Sequence, residues 1–115
     1  MKKMEGFQET SKLVEAWFAG DSEGAMFDAA TEDPETAWRA ILEILKRELT
    51  DEQRSLLAAG ALEGLLVWHG AAFINRVEEE AKSNACFNYL LGGVWRREIA
   101  QEIWERIEIV RKEVW

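Results

Sequence analysis

Apolar positions in this chain recur three and four residues apart almost from end to end, with no run alternating at period two. This is helix spacing, because 3.6 residues per turn brings i, i+3, i+4 and i+7 onto one face. The pattern is densest from Leu56 to Trp95, LLAAGALEGLLVWHGAAFINRVEEEAKSNACFNYLLGGVW, where glycines fall at places a helix would turn. It predicts an all-α packing centre and no sheet.

Phe7, Leu13, Val14, Trp17 and Phe18 predict a first helix over about 8–19, stopped by Gly20, and Ala25, Met26, Ala29 and Ala30 a short second one over about 22–30. Asp33, Pro34 and Glu35 supply an N-cap, a first-turn proline and a first-turn acid for a helix over about 34–48, with Trp38, Ile41, Leu42, Leu45 and Leu49 on its stripe. Thr50-Asp51-Glu52-Gln53 is a capping box opening a helix through about Ala59, which Gly60 is expected to end in a left-handed cap. Residues 61–69 continue in helical phase. Leu62, Leu66, His69, Phe73 and Val77 share one line, so a single long helix is the alternative to a break at His69-Gly70. The next helix spans about 71–82 with Phe73, Ile74, Val77 and Ala81 inward, and Ser83-Asn84 caps a short one bearing Phe87, Leu90 and Leu91. After a Gly92-Gly93 turn, Trp95, Ile99, Ile103, Ile107, Val110 and Val114 predict the longest helix, about 94–113.

A chain of 115 residues with 48% hydrophobic content can build one core without a metal or disulfide. Its single cysteine, Cys86, excludes an internal disulfide and points to a reducing, cytoplasmic setting. The start, MKKMEGFQETSK, has no apolar stretch after its bases and so does not read as a signal peptide. No unbroken apolar run approaches the roughly 18 residues of a membrane span, so no membrane partner is expected. The net charge of -8 is uneven: residues 1–36 carry nine acids and three bases, and residues 37–115 thirteen and eleven. Direct binding of nucleic acid is disfavoured, because it rests on cations neutralising phosphates. A basic protein partner is favoured by the same acids, which otherwise serve solubility.

Candidate chemistry is sparse. His69 is the only histidine and is expected to be structural, its ring near free carbonyls at a helix end, with Glu63 and Glu78 as potential neighbours. Cys86 is expected to be a buried, inert thiol. Glu78-Glu79-Glu80 spreads over different helix faces and reads as solvated. No phosphate loop, nucleophile elbow or dinucleotide fingerprint occurs, so no catalytic residue, metal site or cofactor is expected. Of six tryptophans, Trp17, Trp38 and Trp95 fall on apolar stripes, while Trp68 lies off its line and faces a second core or the surface. Trp104 and Trp115, eleven residues apart, would share a helix face with Glu108 and Arg111, since that spacing rotates by about 20°. Such a face is either part of a wide core or a contact surface, where Trp and Arg are enriched.

AWRAILEIL, LAAGALEGLLVWHGAAFINRVEEEA and LLGGVW, within residues 37–95, resemble a family of small bacterial all-helical domains of unknown function with an LExLLxxHG, FIxRxE and LLGGVW pattern. The resemblance implies a helical fold and a bacterial or phage origin, and carries over no activity. The acidic segment 1–36 and the last helix, 96–115, flank it.

These observations predict an all-α single domain over residues 1–115, a stack of six to eight helices, several short, closed by a long C-terminal helix. The function they favour is a non-enzymatic acidic binding protein of inhibitor or immunity type, acting on a basic, nucleic-acid-handling partner. Its contact residues would be Asp21, Glu23, Asp28, Trp104, Glu108, Arg111 and Trp115. Self-association through the last helix is the second reading, and an enzyme using His69 with a glutamate the third.

Overall fold

The computed structural model describes the backbone of residues 2–20 and 24–115 and the side chains of 9–20 and 24–115. Asp21 and Glu23 therefore lie outside the described residues. The helices are α1 (Lys2–Phe18), α2 (Ala25–Glu32), α3 (Pro34–Leu45), α4 (Asp51–Leu56), a π-helical segment (Leu57–Leu62), α5 (Glu63–Ser83), α6 (Ala85–Leu91) and α7 (Gln101–Val110). No strand occurs among the described residues, so the all-α expectation holds.

Helix starts follow the local chemistry. The Asp33 carboxylate accepts from the Thr36 N–H ahead of Pro34. Both bonds of the Thr50/Gln53 capping box form, at 3.1 and 2.9 Å. Asn84 Oδ1 accepts from the Phe87 N–H and starts α6. These caps satisfy amide donors that a helix leaves open in its first turn.

Gly60 does not end a helix. It lies inside the π segment that joins α4 to α5 without a stop, and Gly20 is the described glycine with a positive φ. The reason is visible in the spacing of the buried residues: Leu57, Ala61 and Leu65 on one line, Ala58, Leu62 and Leu66 on the next. Steps of four drift by about 40° each in an α-helix. A π turn, with its i→i+5 bonds, takes up that drift and keeps both lines on the core. The break expected at His69-Gly70 occurs as a kink within α5, with His69 at φ -134° and ψ 23°. A Cβ placed on Gly70 would lie 3.2 Å from Ile103, so the glycine after the kink lets α7 cross closely.

The core is built around Trp38, whose ring packs against Phe73 and Phe87 at centroid distances of 5.8 and 5.4 Å. Trp17, Met26, Ile41, Leu62, Leu65 and Leu91 are among the buried residues around it. On α3 the buried face runs through Ala37, Ala40, Ile41 and Ile44. Leu42, Leu45 and Leu49 of the expected stripe are half-buried. The stretch Asp51–Ser83 is long and apolar enough to cross a membrane by length and mean hydropathy, which unbroken apolar runs did not reveal. More than half of its most apolar window is packed inside the domain, as in a core helix.

The largest correction is at the C-terminal end. The helix expected over 94–113 is ten residues long, and α5, at 21 residues, is the longest helix. Particular contacts and one backbone conformation bound the helix at each end. Glu63 captures the Trp95 N–H at 2.9 Å, and Arg97, at φ 43°, is incompatible with a helix. At the other end, Asn88 Nδ2 donates to the Val110 carbonyl while its Oδ1 accepts from the Lys112 N–H, drawing the chain out of the helix. Ile99, Ile103 and Ile107 are buried as expected, but Trp95 and Val114 are exposed.

Residues 111–115 run back over the Gly92-Gly93 turn. The Trp115 N–H donates to the Gly92 carbonyl, and its indole Nε1 donates to the Tyr89 carbonyl, both at 2.9 Å. A Cβ on Gly93 would fall 2.4 Å from the Trp115 ring, and one on Gly92 2.5 Å from the Glu113 carbonyl oxygen. The glycines are needed for close approach, since neither has a positive φ. Gly93→Ala is expected to cost about 1–3 kcal/mol in chemical denaturation, the range for overpacking. In a Trp115→Ala background the same change should cost far less. Equal costs in both backgrounds would refute this account of the turn.

Candidate functional site

Glu63 is buried on the first turn of α5, and both its oxygens are engaged. Oε1 accepts from the Trp95 N–H, and Oε2 faces Arg97 Nε at 2.9 Å. A buried carboxylate without such partners would carry a heavy desolvation cost. Here it ties the α6–α7 connection to the long helix. Val94 is thereby held inward, while Trp95 is 66% exposed. Trp68 is 62% exposed on the same helix as Glu63. Beside this part of α5 lies α2: a Cβ on Gly64 would touch Ala30 at 3.6 Å, and His69 Nε2 lies 2.7 Å from the Thr31 carbonyl. On α2, Phe27, Asp28 and Glu32 are exposed.

The His69 contact fixes its chemistry. A carbonyl only accepts, so Nε2 carries the hydrogen and donates it. The expected carbonyl contact is present, although the partner belongs to α2 and not to the helix of His69 itself. Neither glutamate considered as its neighbour is hydrogen-bonded to it. Glu63 is held as above, and Glu78 accepts from Arg106 Nε at 2.9 Å, with Arg106 also bonded to Asn75 Oδ1 at 2.7 Å.

The expected Trp104–Trp115 face does not form, because the helix ends at Val110. Trp104 is half-buried with the Arg111 guanidinium 4.7 Å above its ring. Arg111 Nη1 also donates to the Leu91 and Val94 carbonyls. Trp115 is committed to Tyr89 and the glycine turn. Glu108 and Asp28 are exposed. Cys86, expected to be buried, is exposed at the start of α6 and lines a groove of about 760 Å³ between α1, α3 and the α5–α6 corner. The helical spacing around Cys86 gives no sign of that groove, whose walls come from α1 and α3, distant in sequence. No group of three or more His, Cys, Asp or Glu side chains is placed to hold a metal ion among the described residues.

Glu63→Ala should lower stability by about 1–3 kcal/mol by stranding the Trp95 N–H. Arg97→Ala should cost less than Glu63→Ala, because that guanidinium is largely exposed and the Trp95 N–H keeps its acceptor. Glu63→Gln keeps an acceptor and should fall between Glu63→Ala and the parent. An Arg97→Ala cost as large as that of Glu63→Ala would show that the ion pair, and not the backbone bond, holds the loop.

Two carboxylates titrate low. Hydrogen bonding by Arg76 holds Glu35, and by Arg106 holds Glu78, below the ordinary value of 4.5, with partial burial working against each. Both bind protons less readily folded than unfolded. Their stabilisation is therefore complete above 4.5 and is lost as the pH falls through the lowered folded values. Melting temperatures should drop in acid below 4.5, and Arg76→Gln with Arg106→Gln should reduce that drop. An unchanged acid profile in the double variant would refute the assignment.

A family model matches residues 8–114, reaching well beyond the 37–95 run on both sides. No curated protein and no solved structure matches the chain. The LExLLxxHG and LLGGVW segments, which supply Glu63, Gly70 and Trp95, thus sit inside a match over nearly the whole fold, and the chain belongs to the Family of unknown function (DUF6869).

Proposed function

We propose that this protein is a non-catalytic binding domain of inhibitor or immunity type, acting on a basic, nucleic-acid-handling protein. The observation that carries this reading is the exposure of Trp68 and Trp95 in a chain of net charge -8. Large aromatic rings are ordinarily covered when a core is available, and exposed ones are the side chains most enriched at interface hot spots. The anchor therefore moves from Trp104 and Trp115, which are held by internal contacts, to Trp68 and Trp95. Asp28 and Glu32 on neighbouring α2 supply the charge that steers a basic partner.

Self-association keeps one observation in its favour, because Ile109 on α7 is 84% exposed. A solution mass of 13.2 kDa that persists at high concentration would remove it.

The test is stopped-flow binding to basic proteins encoded beside the gene. Asp28→Lys with Glu32→Lys should slow association several-fold at about 0.05 M salt and far less at about 1 M, where the screening length is about 3 Å. Trp68→Ala and Trp95→Ala should each raise the dissociation rate by roughly tenfold or more, as truncation of a hot spot does. No salt-sensitive complex with any of these proteins, or parent dissociation rates in both tryptophan variants, would overturn the reading.

A further inference from the structure

We propose that the groove between α1 and α3 binds an elongated aliphatic carboxylate. Its volume of about 760 Å³ lies in the range of small-molecule sites. Val14, Leu42 and Leu45 give it apolar walls. A second hollow of about 400 Å³, lined by Leu49 and Tyr89 among others, adjoins it and shares Leu45, Arg47 and Cys86 as walls. The combined shape is a trough, which a linear chain fills better than a compact ring does.

The charges along the trough select the head group. Arg47 is bonded to Glu15 at 2.7 Å and stacks over Phe18, and Lys46 is bonded to Glu43 at 2.9 Å. Glu80 accepts from Asn84 Nδ2 at 2.9 Å. Arg39 is the third cation on the groove and is exposed; its charge acts on Glu35 one turn away, but its guanidinium makes no hydrogen bond or close ion pair with another described residue. A guanidinium whose N–H donors are all open beside an apolar trough matches one carboxylate on an aliphatic tail. This site includes neither Trp68 nor Trp95, and either proposal can fail without the other.

The probe is dodecanoate, used below its micelle concentration, with two readouts: calorimetric affinity, and the rate at which N-ethylmaleimide modifies Cys86 on the groove wall. One-to-one binding with slowed modification is expected. Arg39→Gln should weaken affinity about tenfold, as loss of a charged hydrogen bond does. Dodecanol should bind more weakly than dodecanoate. Ser11→Trp, at an exposed position on the groove, should block both signals with the circular dichroism spectrum unchanged. Should Ser11→Trp fail to fold, Arg39→Gln, an exposed substitution, still decides the matter. Absence of binding and protection, parent affinity in Arg39→Gln, or equal affinity for dodecanol would each overturn the proposal.

Discussion

The contact between the Glu63 carboxylate and the Trp95 N–H sets the C-terminal third of the molecule. It joins residues 32 positions apart and fixes where the chain lies after the Gly92-Gly93 turn. The chain after Gly93 does not enter a helix there. It turns through Arg97 in the left-handed region, at a cost of about 1–2 kcal/mol for a non-glycine residue, and restarts at Gln101. Ile103 then arrives over Gly70, where the kink at His69 and the missing Cβ leave room. The kink and the short last helix are thus two ends of one arrangement.

Asn88 closes the same region from the other side. It is buried and uses both ends of its amide, donating to the Ala81 and Val110 carbonyls and accepting from the Lys112 N–H. A buried amide with one end unpaired would be destabilising, so the geometry is satisfied as a set or not at all. Arg111 adds bonds to the Leu91 and Val94 carbonyls, and Trp115 lies on the glycine turn. The segment after α7 is therefore part of the packing, although it has no regular structure.

What could be read from the sequence follows from the range of the forces involved. The caps at Asp33, Thr50 and Asn84 act within three residues, and each is found where its spacing put it. The inward faces of α5 and α6, Phe73, Ile74, Val77, Phe87 and Leu90, follow from period alone. The misreadings are contacts between distant residues. Isoleucines at 99, 103 and 107 share one face, and nothing local announces the positive φ at Arg97 or the Asn88 contacts that bound the helix. The four-residue steps from Leu57 to Leu66 did carry a signal, since their drift is what a π turn absorbs. Glycine at position 60 drew attention to a stop instead. Of the expected contact residues, Asp28, Glu108 and Trp115 are exposed and Trp104 and Arg111 half-buried, but the shared helical face expected for Trp104, Glu108, Arg111 and Trp115 is not made.

The six tryptophans divide by the work the fold gives them. Trp17 and Trp38 are in the core, Trp104 is covered by Arg111, and Trp115 seals the glycine turn. Each of these four makes a contact the structure would lose on truncation. Trp68 and Trp95 are different, because the backbone of Trp95 is essential to the Glu63 bond while its ring projects outward. A smaller side chain at 95 would preserve that bond equally well. The ring is therefore not explained by the packing of this chain, and neither is that of Trp68. Selection for fold alone does not require either ring.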